Sequence, residues 1–170
     1  MGIKMAKVMM GFEPNRNRVV RVVNAKKTTM TIGGKTYNFR SEFESVWAKY
    51  LQFLQDCEQI ADWDYEPTKF DFWKFGYRNK PYEYTPDFLI TNNDGTTYFQ
   101  ETKGYLETRD NSKYLRMSKH YPDIQIEIVM QRIPKKGKGF QNFAKLKAKS
   151  GIIRRIIDAS EILKQVKGLI

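Results

Sequence analysis

Apolar residues recur along this chain at two periods, and the changes of period mark out the elements. Phe43, Val46, Trp47, Tyr50, Leu51 and Leu54 follow one another at three- and four-residue steps, the spacing of one buried stripe on a helix. Ser41 suits the N-cap of that helix, and Ser41 to Glu44 reads Ser-x-x-Glu, a capping box in which Glu44 reaches back to the first backbone amide. Upstream, residues 19–23 and 28–32 are β-branched strand candidates, and Gly33-Gly34 suits a tight hairpin into 35–39. Residues 1–17 have weak periodicity and are expected as an arm. Residues 62–67 break the helical pattern, and extended aromatic-rich segments follow around 70–75 and 82–90. A turn at 92–95 leads into a strand at 97–103, a helix over 111–121 stops at Pro122, and Ile124, Ile126 and Ile128 alternate as a strand. Residues 134–139 read as a basic linker. Ile153, Ile156, Ile157, Leu163 and Val166 predict a last amphipathic helix over 152–166. No internal repeat is visible.

Composition narrows the class. The chain has 170 residues, 41% hydrophobic and 14% aromatic, enough for one packed domain with an appended arm and too apolar for global disorder. No apolar run reaches the length of a membrane span. The start has no small-residue cleavage site after its short apolar stretch, so a secretory signal is not expected. A single cysteine, Cys57, cannot close an intrachain disulfide, and a single histidine, His120, leaves no Cys/His zinc cluster. The expectation is an intracellular, reduced protein.

Charge adds a partner. The net charge is +11, but residues 1–40 carry nine Lys or Arg and one acid, 41–130 carry ten and sixteen, and 131–170 carry eleven and two. Two basic ends, +8 and +9, therefore flank a middle of −6. Basic flanks suit a polyanion, since each cation near a phosphate releases condensed counterions; they also suit a solvated surface. The acids of the middle need a separate account.

The hairpin around Gly95 supplies one. If Asn93-Asp94-Gly95 is a three-residue loop with Gly95 in the left-handed conformation, facing positions sum to 188 and Asp87 lies opposite Glu101. Lys103 then sits one diagonal step away on the same face. A two-residue loop would instead oppose Asp87 to Thr102 and turn Glu101 away. Two carboxylates about 5 Å apart repel by about 3 kcal/mol at an effective dielectric of about 20. A hard divalent cation such as Mg²⁺, with Mn²⁺ as a substitute, would offset this, held by Asp87, Glu101 and the backbone carbonyl of Thr102 beside a scissile phosphate. Lys103 would position or activate the attacking water. An ordinary hairpin with surface acids and a lysine ion pair accounts for the same residues.

Pro86-Asp87, a spacer and Glu101-Thr102-Lys103 resemble the PD-(D/E)XK nuclease signature. The longer strings from Tyr84 to Leu89 and from Glu101 to Gly104 resemble the phage endonuclease I group of Holliday-junction resolvases. Residues 39–44, and 113–130 with His120 through Asp123, are similar to the same group, so the resemblance spans about residues 39–130. It implies an α/β (α+β) fold: a restriction-endonuclease-like core with a mixed central β-sheet flanked by helices. An N-terminal β-hairpin and a C-terminal amphipathic helix complete the expected architecture. The expected organisation is an arm and hairpin at 1–38, a nuclease core at 39–133, and a basic linker and helix at 134–170. The resemblance also implies catalytic Glu44, Asp87, Glu101 and Lys103, with Glu44 as a further metal ligand or a contact of a metal-bound water. Residues 1–38 and 139–170 depart from the group's pattern.

The activity so implied is metal-dependent hydrolysis of DNA phosphodiesters, selective for four-way or other branched DNA and carried out by a homodimer, because resolving a junction takes paired cuts. A sequence-specific homing or nicking endonuclease and a non-catalytic DNA-binding protein are the alternatives. Arg109, Lys113 and Arg116, with His120 at the same helical spacing, are candidates to follow a phosphate backbone, as are Lys135, Lys136 and Lys138; a solvated helix face and a mobile linker compete for the same residues. Cys57 is expected buried or half-buried. The aromatics Trp63, Tyr65, Phe70, Phe72, Trp73 and Phe75 are expected mainly as packing.

Overall fold

The computed structural model describes residues 26–77, 80–137, 139–141, 145–146 and 151–168. The expected arm at 1–17 and the strand candidate at 19–23 lie outside them.

Strands β1 (Thr28–Ile32) and β2 (Lys35–Phe39) form the expected hairpin. Its turn needs two successive residues with positive φ, and Gly33 and Gly34 supply +56° and +81°. Helix α1 (Glu42–Asp56) starts where Ser41 caps it, with the Ser41 hydroxyl accepting the Glu44 amide. Its apolar stripe buries Val46, Trp47, Ala48 and Leu51.

Beyond α1 the chain builds β3 (Asp62–Tyr65), β4 (Phe70–Tyr77), β5 (Lys80–Tyr84), β6 (Phe88–Thr91) and β7 (Thr97–Lys103). Helix α2 (Thr108–His120), β8 (Ile126–Met130), β9 (Ile153–Asp158) and α3 (Ser160–Gly168) follow. Five strands make the central mixed sheet in the order β3-β6-β7-β8-β9. The β3-β6-β7 side is antiparallel, and β7-β8-β9 is parallel. Strands β4 and β5 form a separate two-stranded ribbon.

The sheet is covered on both faces. Phe88, Ile90, Tyr98 and Val129 pack with Trp47, Ala48 and Leu51 of α1, with Ile32 and Phe39 of the hairpin, and with Ile162 and Leu163 of α3. Ile126, Ile128 and Met130 turn the other way, onto Tyr114 and Met117 of α2 and Phe70, Phe72 and Tyr84 of the ribbon. This is an α+β fold with a restriction-endonuclease-like core, a mixed central sheet, an N-terminal hairpin and a C-terminal amphipathic helix.

Three expectations are corrected. Residues 152–166 are not one helix: Ile153–Asp158 is a strand parallel to β8, and α3 begins only at Ser160. The two isoleucine pairs match helical spacing, but their β-branched side chains pack as well on a sheet edge, and β8 supplies the hydrogen bonds. Residues 62–65, read as a break, form β3, whose buried Trp63 packs among the α1-side residues. Cys57 is exposed at the end of α1. The aromatics behave as packing where their side chains are described: Trp63, Phe70 and Phe72 are buried, and Tyr65 packs against Phe39 and Phe88. The side chains of Trp73 and Phe75 lie outside the description.

Candidate active site

The hairpin register decides which side chains can meet. Phe88 pairs with Gln100 and Thr91 with Thr97, so facing positions sum to 188, as the three-residue loop requires. Gly95 has φ +81°, and Asn92 accepts its amide and donates its own to Thr96. Asp87 lies one residue before β6, at the end of the sheet where β7 delivers Glu101, Thr102 and Lys103.

Asp87 and Glu101 are almost equally buried, at 6% and 5% exposure, yet they are held differently. One Asp87 oxygen accepts the Thr102 amide at 2.8 Å and the Thr102 hydroxyl at 2.7 Å, and the other accepts Arg40 Nη2 at 3.2 Å. Glu101 receives two ammonium groups on Oε1, Lys113 at 2.8 Å and Lys103 at 3.0 Å, and the Tyr84 hydroxyl on Oε2 at 2.8 Å. Asp110, in the first turn of α2, pairs with Lys103 at 3.2 Å and so continues the chain of alternating charge. Burial, then Glu101 and Glu44, push Asp87 up to about 8, against the pull of its Thr102 bonds. Burial would also raise Glu101, but Lys113 and Lys103 outweigh it and hold the group down to about 2. The Lys103 ammonium is itself kept charged: burial opposes it, and Glu101 and Asp110 overcome that.

Glu44 is buried on the first turn of α1, within electrostatic reach of Asp87. Its carboxylate accepts the Ser41 hydroxyl at 2.9 Å, the Arg40 amide at 2.9 Å and the Tyr65 hydroxyl at 2.7 Å. Only half of the expected capping box is made: the Ser41 hydroxyl accepts the Glu44 amide, but Glu44 reaches the amide of Arg40 rather than that of Ser41. Glu66 completes the acidic group. It has φ +50°, its amide donates to the Asp87 carbonyl at 2.8 Å, and its carboxylate is paired with Arg40. Burial raises the Glu66 carboxyl, and Arg40 opposes this.

The four residues expected to carry catalysis therefore lie at one end of the sheet: Asp87, Glu101 and Lys103 in a connected set, and Glu44 beside it. The candidates for DNA contact are scattered. Lys113 points inward, 12% exposed, onto Glu101 and over the Tyr84 ring at 4.4 Å. This corrects the expectation of a phosphate-facing row, because Lys113 is drawn to a buried carboxylate that would otherwise lack half its compensation. Arg109 is exposed and paired with Glu107, and Arg116 stacks on Tyr82 at 4.1 Å. His120 is exposed, with its ring edge against Phe72. Lys135 and Lys136 are exposed, and Lys138 lies outside the described residues. Sequence reasoning missed Arg40, Glu66, Tyr84 and Asp110. Only Asp110 left a signal, one helical turn before Lys113.

The donor set suits a hard cation, since every side-chain donor at Asp87, Glu101, Glu44 and Glu66 is an oxygen, and Asp87 and Glu66 are raised first by burial and then by the neighbouring Glu44 and Glu101. Among the described residues no three His, Cys, Asp or Glu side chains converge as a ready-made cage. Each oxygen of Asp87 and Glu101 already has a protein donor, so a cation at this end of the sheet would have to replace one of them, such as Arg40 on Asp87.

Fold and site define the class: a restriction-endonuclease-like core with a buried acid pair, a lysine on one of the two acids and a third carboxylate in the first turn of a helix. Residues 21–138 match the family described as "Protein of unknown function (DUF1064)", and the chain belongs to that family. The chain is also similar to Endonuclease I of Escherichia phage T7, 38% identical over 93 residues, which are 54% of this chain and 53% of the relative. The chain thus spans about half the length of the curated relative it matches. No solved structure matches it significantly. Among the described residues no helix is long and apolar enough to cross a membrane.

Proposed function

We propose that the protein is a DNA endonuclease of the PD-(D/E)XK type, dependent on Mg²⁺ or Mn²⁺, that hydrolyses phosphodiesters in branched DNA as a homodimer. The observation that carries this reading is the buried pair Asp87 and Glu101 with Lys103 at 3.0 Å from Glu101. The similarity to Endonuclease I and the basic ends of the chain support it.

Asp87 and Glu101 would hold the cation, with the Thr102 carbonyl and Glu44 as further donors. When bound, it would lower the pKa of a coordinated water and neutralise charge on the phosphate. Thr102 fixes the Asp87 carboxylate by two short hydrogen bonds, so one oxygen is aimed and the other is left to exchange its partner. Lys103 keeps its proton between Glu101 and Asp110 and presents positive charge beside the acids, where it can orient a water and balance an anionic phosphate. Lys113 and Tyr84 hold Glu101 ionised and in position.

That every carboxylate oxygen of Asp87, Glu101 and Glu44 has a protein donor favours one second reading, a DNA-binding protein that does not cut. One experiment separates the two. Purified protein is incubated with a synthetic four-way junction and with linear duplex in Mg²⁺ and in EDTA. Metal-dependent cutting of the junction, lost in Asp87→Asn, is the expected outcome. Salt-sensitive binding without cutting in Mg²⁺ would establish the second reading, and equal cutting of both DNAs would remove the branch selectivity.

A further inference from the structure

We infer that Arg40 is a mobile counter-charge, bridging Glu66 and Asp87 when no cation is bound and turning to the DNA phosphate when a cation takes the carboxylates. The inference rests on the endonuclease reading and deepens it by assigning the residue that meets the phosphate.

The acids of the site are compensated unequally. Glu101 has two lysines, which are 12% and 22% exposed and anchored a second time on Asp110. Glu44 has donors without charge: the Ser41 and Tyr65 hydroxyls and the Arg40 amide. Among the described residues, Arg40 is the one cation paired with Asp87, and it is the one paired with Glu66. The same nitrogen, Nη2, makes both contacts, so the guanidinium lies between the two carboxylates rather than forking onto either. A planar fork that binds two carboxylates through one nitrogen forgoes the paired hydrogen bonds in which arginine is strongest.

The side chain is held by polar contacts, to Asp87, Glu66 and Tyr65. It is 55% exposed, so turning outward strips away little burial, whereas its backbone is fixed by the amide bond to Glu44 at 2.9 Å. The pivot therefore sits at the N-terminus of α1, beside the acids, and the guanidinium can sweep the space in front of them. A divalent cation would make the bridge redundant and repel it at close range. A released guanidinium beside a cation and two carboxylates stands where a phosphate between them must lie, and arginine suits that ligand.

Two measurements on the full chain test this. Calorimetric titration with MgCl₂ compares wild type with Arg40→Gln, which keeps the amide to Glu44, and cleavage of a four-way junction is timed at saturating Mg²⁺. Arg40→Gln is expected to bind Mg²⁺ about tenfold more tightly and to cut about tenfold or more slowly. Damage to the fold would weaken both properties, and simple loss of repulsion would tighten the metal without slowing the cut, so either pattern overturns the inference. The second measurement needs no variant other than for assignment: the Arg40 Nε–H resonance of ¹⁵N-arginine-labelled wild type should move on adding Mg²⁺. An unmoved resonance in a protein that binds Mg²⁺ overturns the counter-charge role and leaves the endonuclease reading standing. A wild type that binds no Mg²⁺ overturns both.

Discussion

Asp87 and Glu101 sit one strand apart, equally buried, and burial alone would raise both. They end on opposite sides of the ordinary carboxylate range, about 8 for Asp87 and about 2 for Glu101. The difference lies in their neighbours. Glu101 faces two ammonium groups that are only 12% and 22% exposed, where the local dielectric strengthens attraction, and Asp87 faces two carboxylates and a half-exposed guanidinium. One half of the site is thus a finished electrostatic network, and the other is an unfinished one that would gain from a further cation. The comparison teaches that a paired-acid motif need not be symmetric: one member can be held as a permanent anion while the other is kept responsive.

The strongest way to break this comparison is to remove each acid's charge. Asp87→Asn and Glu101→Gln should each lower Mg²⁺-dependent cleavage by about a thousandfold, measured under single turnover. If only one of them does, the two halves do not share a reacting centre. Removing a cation from the finished half comes next. Lys113→Met leaves the Glu101 carboxylate under-compensated in the interior and should destabilise the fold by about 3 to 5 kcal/mol in urea unfolding. The unfinished half should respond to metal instead. Mg²⁺ at about a hundred times its dissociation constant should stabilise the wild type by about 3 kcal/mol and Asp87→Asn much less, read by thermal unfolding.

The pH profile of the metal-free protein tests the sign of each shift. The folded-state pKa of Asp87 lies above its unfolded value, so its contribution to stability is present below about 4 and is lost as pH rises towards about 8. That of Glu101 lies below its unfolded value, so its contribution is present above about 4.5 and is lost as pH falls towards about 2. In EDTA, Asp87→Asn should flatten the decline on the alkaline side, and Glu101→Gln should flatten the one on the acid side. Interchanged effects would reverse the assignment.

Much of this site is legible in the sequence. Gly95 announces the loop that sets the register, and the register alone puts Asp87 level with Glu101 with Lys103 one step away. Ser41 and Glu44 announce the start of α1, and Gly33-Gly34 the first hairpin. Other parts were not legible, for identifiable reasons. Trp63 sits in a four-residue strand too short to show a period. Strand β8 is buried on both faces, so the alternation read from Ile124 to Ile128 is not an alternation of exposure. The isoleucines of 153–157 satisfy a helical spacing and a strand equally, and the free edge of β8 made the choice.

What the sequence by itself determined is local: turn chemistry, caps, register, and through them the acids and lysine carried by one hairpin. Their spacing along the backbone leaves those side chains few other places to be. What only the tertiary structure decided is how that charge is balanced. Arg40 meets Asp87 across 47 residues, and Lys113 reaches Glu101 from another element. Those pairings follow from the packing of α1 and α2 on opposite faces of the sheet. Coulomb energy depends on distance in space and on burial, and neither can be read from separation along the chain.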